Sequence, residues 1–261
     1  MHEMFFPIMK SLNLEGFASM VYEPPNNWEN LIRKQVYLYL LWPIGDSWAT
    51  QLLGELKKGE SIMVSTMNLP NRALDTSLAL IYPSEFKLPS KLAELPKKKS
   101  WVATTPPWRN ASGFRTLRCQ TSYQAEVEPF PEKATLLTFH PFIQFGSVQN
   151  YLLTLNITNS PEIYEKTLMV IDSRTKLKID EVKVSTNSLT TIPLDNYGFK
   201  PDELPIFYSP DMAAIPFGLG VSVDGSMLSL EHTHPPQSLV LFGKRFEIQG
   251  KIKHNWAKDF K

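Results

Sequence analysis

Residues 150–158 read NYLLTLNIT, 166–171 KTLMVI, 177–184 LKIDEVKV, 189–194 LTTIPL, 219–223 LGVSV, 227–233 MLSLEHT and 238–242 SLVLF. Each run is short and rich in β-branched or aliphatic residues. Turn residues separate several of them: Asp172-Ser173-Arg174, Ser185-Thr186-Asn187 and Asp224-Gly225. Strand-length runs recurring about every 8–12 residues are the rhythm of a sandwich or barrel. The expectation is therefore an all-β, mainly antiparallel protein of β-sandwich-like, immunoglobulin-like architecture, built as two sandwich units.

Upstream, strand signals fall at Phe17–Tyr22, Val36–Trp42, Ser61–Met67 and Ser77–Tyr82. Trp28–Lys34 and Ser47–Glu55 read as short helices, the second with Asp46 or Ser47 as N-cap. The composition shifts between Pro83 and Pro107, where prolines bracket Lys97-Lys98-Lys99. This places an N-terminal β-rich domain at 1–95, a Pro/Lys-rich junction at 96–110 and a C-terminal sandwich at 111–261. Residues 35–42 with the following polar turn echo residues 149–157, so an internal duplication and a chance likeness of strands both stand as readings. Between the halves, Arg118–Gln144 reads as a long hairpin. Its first arm alternates from Thr121 to Val127, Pro129-Phe130-Pro131-Glu132-Lys133 makes the turn and Leu136–Phe142 returns.

The chain has 261 residues, 43% of them hydrophobic and 20% charged, which is the composition of an ordered, soluble protein. With 27 Lys plus Arg against 26 Asp plus Glu, no bulk field recruits nucleic acid or an anionic membrane. The longest apolar run, Val36–Trp42, is far short of the ~20 residues that span a bilayer. The start of the chain is a poor signal peptide, and Cys119 stands alone, so a reducing, cytoplasmic setting is expected. Cys119 falls in an expected strand, Phe114–Gln120, and reads as a buried structural thiol.

One segment carries chemistry. Glu231-His232-Thr233-His234-Pro235-Pro236 places two histidines at i and i+2, on one face of a strand, where they could share a cation. Asp224-Gly225 is a hairpin turn signal that pairs Val221 with Leu228 and Val223 with Ser226. On that register His232 and His234 continue an apolar stripe with Leu228 and Leu230, and Glu231 faces the other way. Pro235-Pro236 ends the strand where a cupin-type strand would continue. The competing readings are histidines at the rim of a β core and a site for one divalent metal, with His140 as third ligand.

Aromatic residues concentrate from Trp101 to Phe145, interleaved with arginines. Trp101, Trp108, Arg109, Arg115, Tyr123 and Glu126 form the candidate ligand or partner surface, suited to a protein partner or to carbohydrate. No nucleophile elbow and no phosphate loop is present. The expected function is a non-catalytic binding or assembly module without a cofactor, joined to a protein partner or to copies of itself. The alternatives are a metal-dependent cupin-like enzyme using His232 and His234, and a carbohydrate-binding module.

Overall fold

The computed structural model describes residues 5–23, 35–97, 108–124, 126–139, 143–144, 146–200, 203–232 and 245–261. The chain divides into two compact units. Unit 1 comprises Met1–Thr116, Gln120–Pro129 and Asn159–Glu162; unit 2 comprises Leu117–Cys119, Phe130–Thr158 and Ile163–Lys261.

Unit 1 holds β1 (Phe6–Met9), β2 (Glu15–Tyr22), β3 (Gln35–Ile44), β4 (Ser47–Lys57), β5 (Ser61–Ser65), a single helical turn α1 (Asn71–Leu74), β6 (Leu78–Ser84), β7 (Lys91–Leu92), β8 (Trp108–Arg115) and β9 (Gln120–Tyr123). They form two sheets of order β1-β6-β3-β4-β7 and β5-β2-β8-β9, with neighbouring strands antiparallel throughout. Both sheets feed one core: Phe6, Ile8, Val36, Leu38, Leu40 and Ile81 from the first meet Met20, Tyr22, Val64 and Trp108 from the second. The repeat of two along β3 explains why these strands form, since alternate side chains of a pleated strand share a face.

Unit 2 holds β10 (Leu136–Phe139), β11 (Val148–Asn156), β12 (Glu165–Ile171), β13 (Lys178–Ser185), β14 (Ser188–Pro193), β15 (Ile206–Ser209), β16 (Ile215–Ser222), β17 (Leu228–His232) and the helix α2 (Arg245–Ala257). The sheets run β10-β15-β12-β13 and β14-β11-β16-β17, again antiparallel throughout. Leu136, Leu168, Val170, Val184 and Phe207 of the first share a core with Leu152 and Ile192 of the second.

The two units repeat one topology. Taking β10 for β1, β11 for β2, β12 for β3, β13 for β4, β14 for β5, β15 for β6, β16 for β8 and β17 for β9 reproduces every pairing. Only β7 has no counterpart among the described residues of unit 2. The echo between residues 35–42 and 149–157 thus matched the wrong strands: β3 corresponds to β12, and β11 to β2.

The expected class is met in its coarser part, an all-β chain of antiparallel sheets. The finer expectation of an immunoglobulin-like sandwich is corrected. Immunoglobulin domains group their strands as ABED and CFG. In each unit here, the first strand instead pairs with the sixth and the last two extend the other sheet. Three of the four sheets have four strands, the number in a propeller blade, and the sheet β1-β6-β3-β4-β7 has five.

Other expectations shift as well. Ser47–Glu55 is strand β4 rather than a helix, because β3 pairs with it over its whole length through a turn at Gly45, whose φ of 60° suits glycine. Strand β8 lies in unit 1, and the chain passes between the units after Thr116, Cys119, Pro129, Thr158 and Glu162. The expected hairpin over Arg118–Gln144 does not form, since β9 pairs with β8 and β10 with β15. Trp28–Lys34 and residues 238–242 lie outside the described residues.

Candidate functional site

The β16–β17 hairpin has the register expected from Asp224-Gly225, with Val221 opposite Leu228, Leu219 opposite Leu230 and Phe217 opposite His232. Gly220 permits the close approach. A Cβ there would lie 2.6 Å from Ser229 Oγ and 2.8 Å from the Gln144 amide, so any side chain would displace both. The turn is fixed by Asp224, whose Oδ1 accepts the hydroxyls of Ser226 (2.7 Å) and Ser222 (2.8 Å) and the Ser226 N–H (3.1 Å). These donors, the Ser226 hydroxyl first, then Ser222 and the Ser226 amide, hold the carboxyl down at about 2, with the Arg118 guanidinium adding to the effect.

Beside this turn lies a recess of about 250 Å³, lined by Cys119, Gln144, Val148, Ser222, Ser226 and Met227 among others. Cys119 is not in a strand, as expected, but in the bend before β9, and it is half-buried. Its thiol donates to the Gly225 carbonyl at 3.5 Å. Among the described residues no histidine or lysine lines the recess to activate the thiol.

His232 is half-buried, its ring edge-on to Phe217 at 5.4 Å between centroids. This is the rim-of-core geometry. His234 and His140, the other proposed metal ligands, lie outside the described residues, as does Trp101. Among the described residues no group of three or more His, Cys, Asp or Glu is placed to hold a metal ion.

The aromatic surface is dispersed within unit 1. Trp108 is 2% exposed and stacks on Tyr22 at 4.6 Å, so it belongs to the core and offers no platform. Burial pushes the Tyr22 hydroxyl up to about 12. Arg109 donates to the Trp108 carbonyl. Arg115 grips Glu15, its neighbour across the strands, in a two-pronged pair at 2.7 and 2.6 Å. Tyr123 is half-buried on β9, with its hydroxyl pushed up by burial and then by Glu126.

Sequence reasoning missed the edge of β13. In unit 1 the corresponding strand β4 is covered at its start: Leu92 and Lys91 of β7 pair with Trp48 and Ala49, and Thr50 N–H donates to the Ser90 carbonyl at 3.0 Å. In unit 2, β13 ends its sheet among the described residues. Thr186 N–H donates to the Tyr164 carbonyl across the β12–β13 hairpin, and rungs of an antiparallel ladder alternate. Asp180, Val182 and Val184 therefore bond to β12, while Glu181 and Lys183 turn their backbone groups away from the sheet. Among the described residues the chain covers only the two ends. Lys178 N–H donates to the Lys261 carbonyl at 2.7 Å, and Ser188 Oγ donates to the Ser185 carbonyl at 2.6 Å. Leu177 and Ile179 stand 48% and 47% exposed nearby.

No protein-family model, curated protein or solved structure matches the chain. No helix among the described residues is long and apolar enough to cross a membrane.

Proposed function

We propose that the protein is a non-catalytic binding or assembly module that accepts a strand from a protein partner on the β13 edge of unit 2. One observation carries the reading. Among the described residues the two units, alike in topology, differ at one sheet edge: β7 pairs with Trp48 and Ala49 of β4 in unit 1, whereas no strand pairs with the outer edge of β13 in unit 2, where Glu181 and Lys183 turn their backbone groups outward. An open edge is a template for main-chain pairing, and proteins that do not use such an edge cover it or blunt it.

Proline at Lys183 tests this, because it removes an outward N–H and leaves the rungs to β12 in place. Native mass spectrometry of the purified protein is expected to show an assembly, homomeric or with a copurified chain, that Lys183→Pro loses while keeping its far-ultraviolet circular dichroism. An assembly retained in full by Lys183→Pro would overturn the reading.

A further inference from the structure

Resting on that reading, we propose that the strand accepted by β13 is β13 of a second copy of this chain, antiparallel, with Glu181 opposite the second copy's Lys183.

Hydrogen-bond parity restricts the registers. Only residues whose backbone groups point outward can exchange N–H···O bonds with a new strand, so Glu181 and Lys183 must face outward residues of the incoming chain. In a symmetric antiparallel pair this leaves three central arrangements. One sets Glu181 against its own copy and another sets Lys183 against its own copy; both oppose like charges across the strands. The third sets Val182 against Val182 on the two-fold axis. It places Glu181 opposite Lys183 twice, once on each side, and all four outward residues then find a partner of opposite sign.

Charge on an edge strand usually prevents pairing. On β13 the signs alternate along the outward face, so the same charges that reject a misaligned copy select the aligned one. The core side of the strand agrees, since Val182 and Val184 lie towards the unit 2 core and would continue its apolar layer past the two-fold.

The bonds that would be exchanged are weak ones. Lys183 Nζ sits 3.1 Å from Glu165 and Lys178 Nζ 2.7 Å from Glu181, with all four side chains at least 43% exposed. Exposed pairs of this kind are held loosely in water. Glu181 N–H currently donates to the neighbouring Asp180 carboxylate at 2.7 Å, an exposed local bond that the second copy's Lys183 carbonyl can replace. The Lys261 contact at one end and the Ser188 contact at the other limit the new ladder to the middle of β13. The dimer is consequently concentration-dependent and not obligate.

Sedimentation equilibrium of the full chain tests this with three forms. Wild type is expected to dimerise reversibly. Lys183→Glu opposes Glu181 with a like charge twice and is expected to weaken the dimer about ten-fold. The double swap Glu181→Lys with Lys183→Glu recreates the complementary pairs in reverse and is expected to regain wild-type affinity. Glu165→Gln, which removes only the intrachain partner of Lys183, is expected to leave dimerisation intact. Failure of the double swap to recover affinity, with its thermal melt unchanged, would overturn the register. A wild type that stays monomeric across the concentration range would overturn self-pairing. The edge-acceptor reading would then stand or fall separately, on whether Lys183→Pro releases a copurified chain.

Discussion

Lys253 on α2 donates its ammonium to the Thr135 carbonyl at 2.8 Å. Burial there pushes the Lys253 pKa down from 10.5. One residue on, His254 Nδ1 lies 2.7 Å from the Tyr208 hydroxyl oxygen and Nε2 lies 3.4 Å from Thr135 Oγ1. Trp256 meets Phe139 edge-on at 5.9 Å. Helix α2 is thus held on unit 2 by a few specific side-chain contacts at the two ends of β10 and on β15.

The Lys253 environment sets a pH dependence. A base whose folded pKa is depressed makes the folded state disfavour its charged form. Stability is lower below the folded value and rises with pH up to the ordinary 10.5. Thermal melts of wild type are expected to show this alkaline rise, and Lys253→Met, which keeps the apolar stem, is expected to flatten it. An equal rise in both proteins would show that another group is responsible.

Tyr208→Phe removes the hydroxyl that meets His254 and leaves the ring against Phe260, 5.8 Å away between centroids. A lost, partly exposed hydrogen bond of this kind costs about 1 kcal/mol. Amide exchange in α2 is expected to quicken more than exchange in β11 and β16, because the helix can loosen without the sheets opening. Uniform acceleration across unit 2 would argue that α2 unfolds only with the whole.

Gly113 on β8 offers a sharper test of strand pairing. A Cβ there would lie 2.0 Å from the Thr121 carbonyl oxygen and 2.7 Å from Ser122 Cα, both backbone atoms that cannot rotate aside. Gly113→Ala is expected to cost about 3–5 kcal/mol by forcing β8 and β9 apart. A variant that melts within a few degrees of wild type would refute the β8–β9 register.

The sequence showed strands best where turn chemistry bounded them. Asp224-Gly225 fixed the register of β16 on β17, and the apolar stripe through Phe217, Leu219 and Leu230 followed from it. Ser47–Glu55 misled because its local composition suits a helix, whereas the ladder to β3, a non-local interaction, decides its conformation. Helix α2 escaped notice although Ile248, Ile252 and Trp256 recur every four residues, since Gly250 and the surrounding lysines blur that stripe. The β13 edge was not legible at all. Which strand ends a sheet depends on the order of distant segments, and Lys178–Ser185 reads the same whether covered or open. Trp108 was misplaced for a related reason: an aromatic cluster in sequence does not distinguish a surface platform from a ring stacked on Tyr22 inside a core.

His232 divides the metal reading from the rim-of-core reading. Packed edge-on against Phe217, it is expected to lose about 1–2 kcal/mol on substitution by alanine, through lost packing. A chelator is expected to leave the wild-type melting temperature where it is. A chelator-induced drop that His232→Ala abolishes, with stoichiometric metal in the wild type by elemental analysis, would establish a metal site instead.

Asp224 gives the final expectation. Its carboxyl is held at about 2, against an ordinary 3.8, chiefly because the Ser226 hydroxyl donates to it. An acid with a depressed folded pKa stabilises the fold fully above its ordinary value, and the contribution is lost as pH falls through the folded one. The β16–β17 turn is therefore expected to hold its geometry down to about pH 4 and to loosen between there and about 2. Ser226→Ala removes the largest donor while keeping Ser222, so the Asp224 titration is expected to move up towards 3.8 and the turn to loosen at higher pH. Carboxyl-carbon NMR titration of the two proteins measures both midpoints. A wild-type Asp224 that already titrates at the ordinary carboxylate value would show that the serine hydroxyls do not cage it in solution.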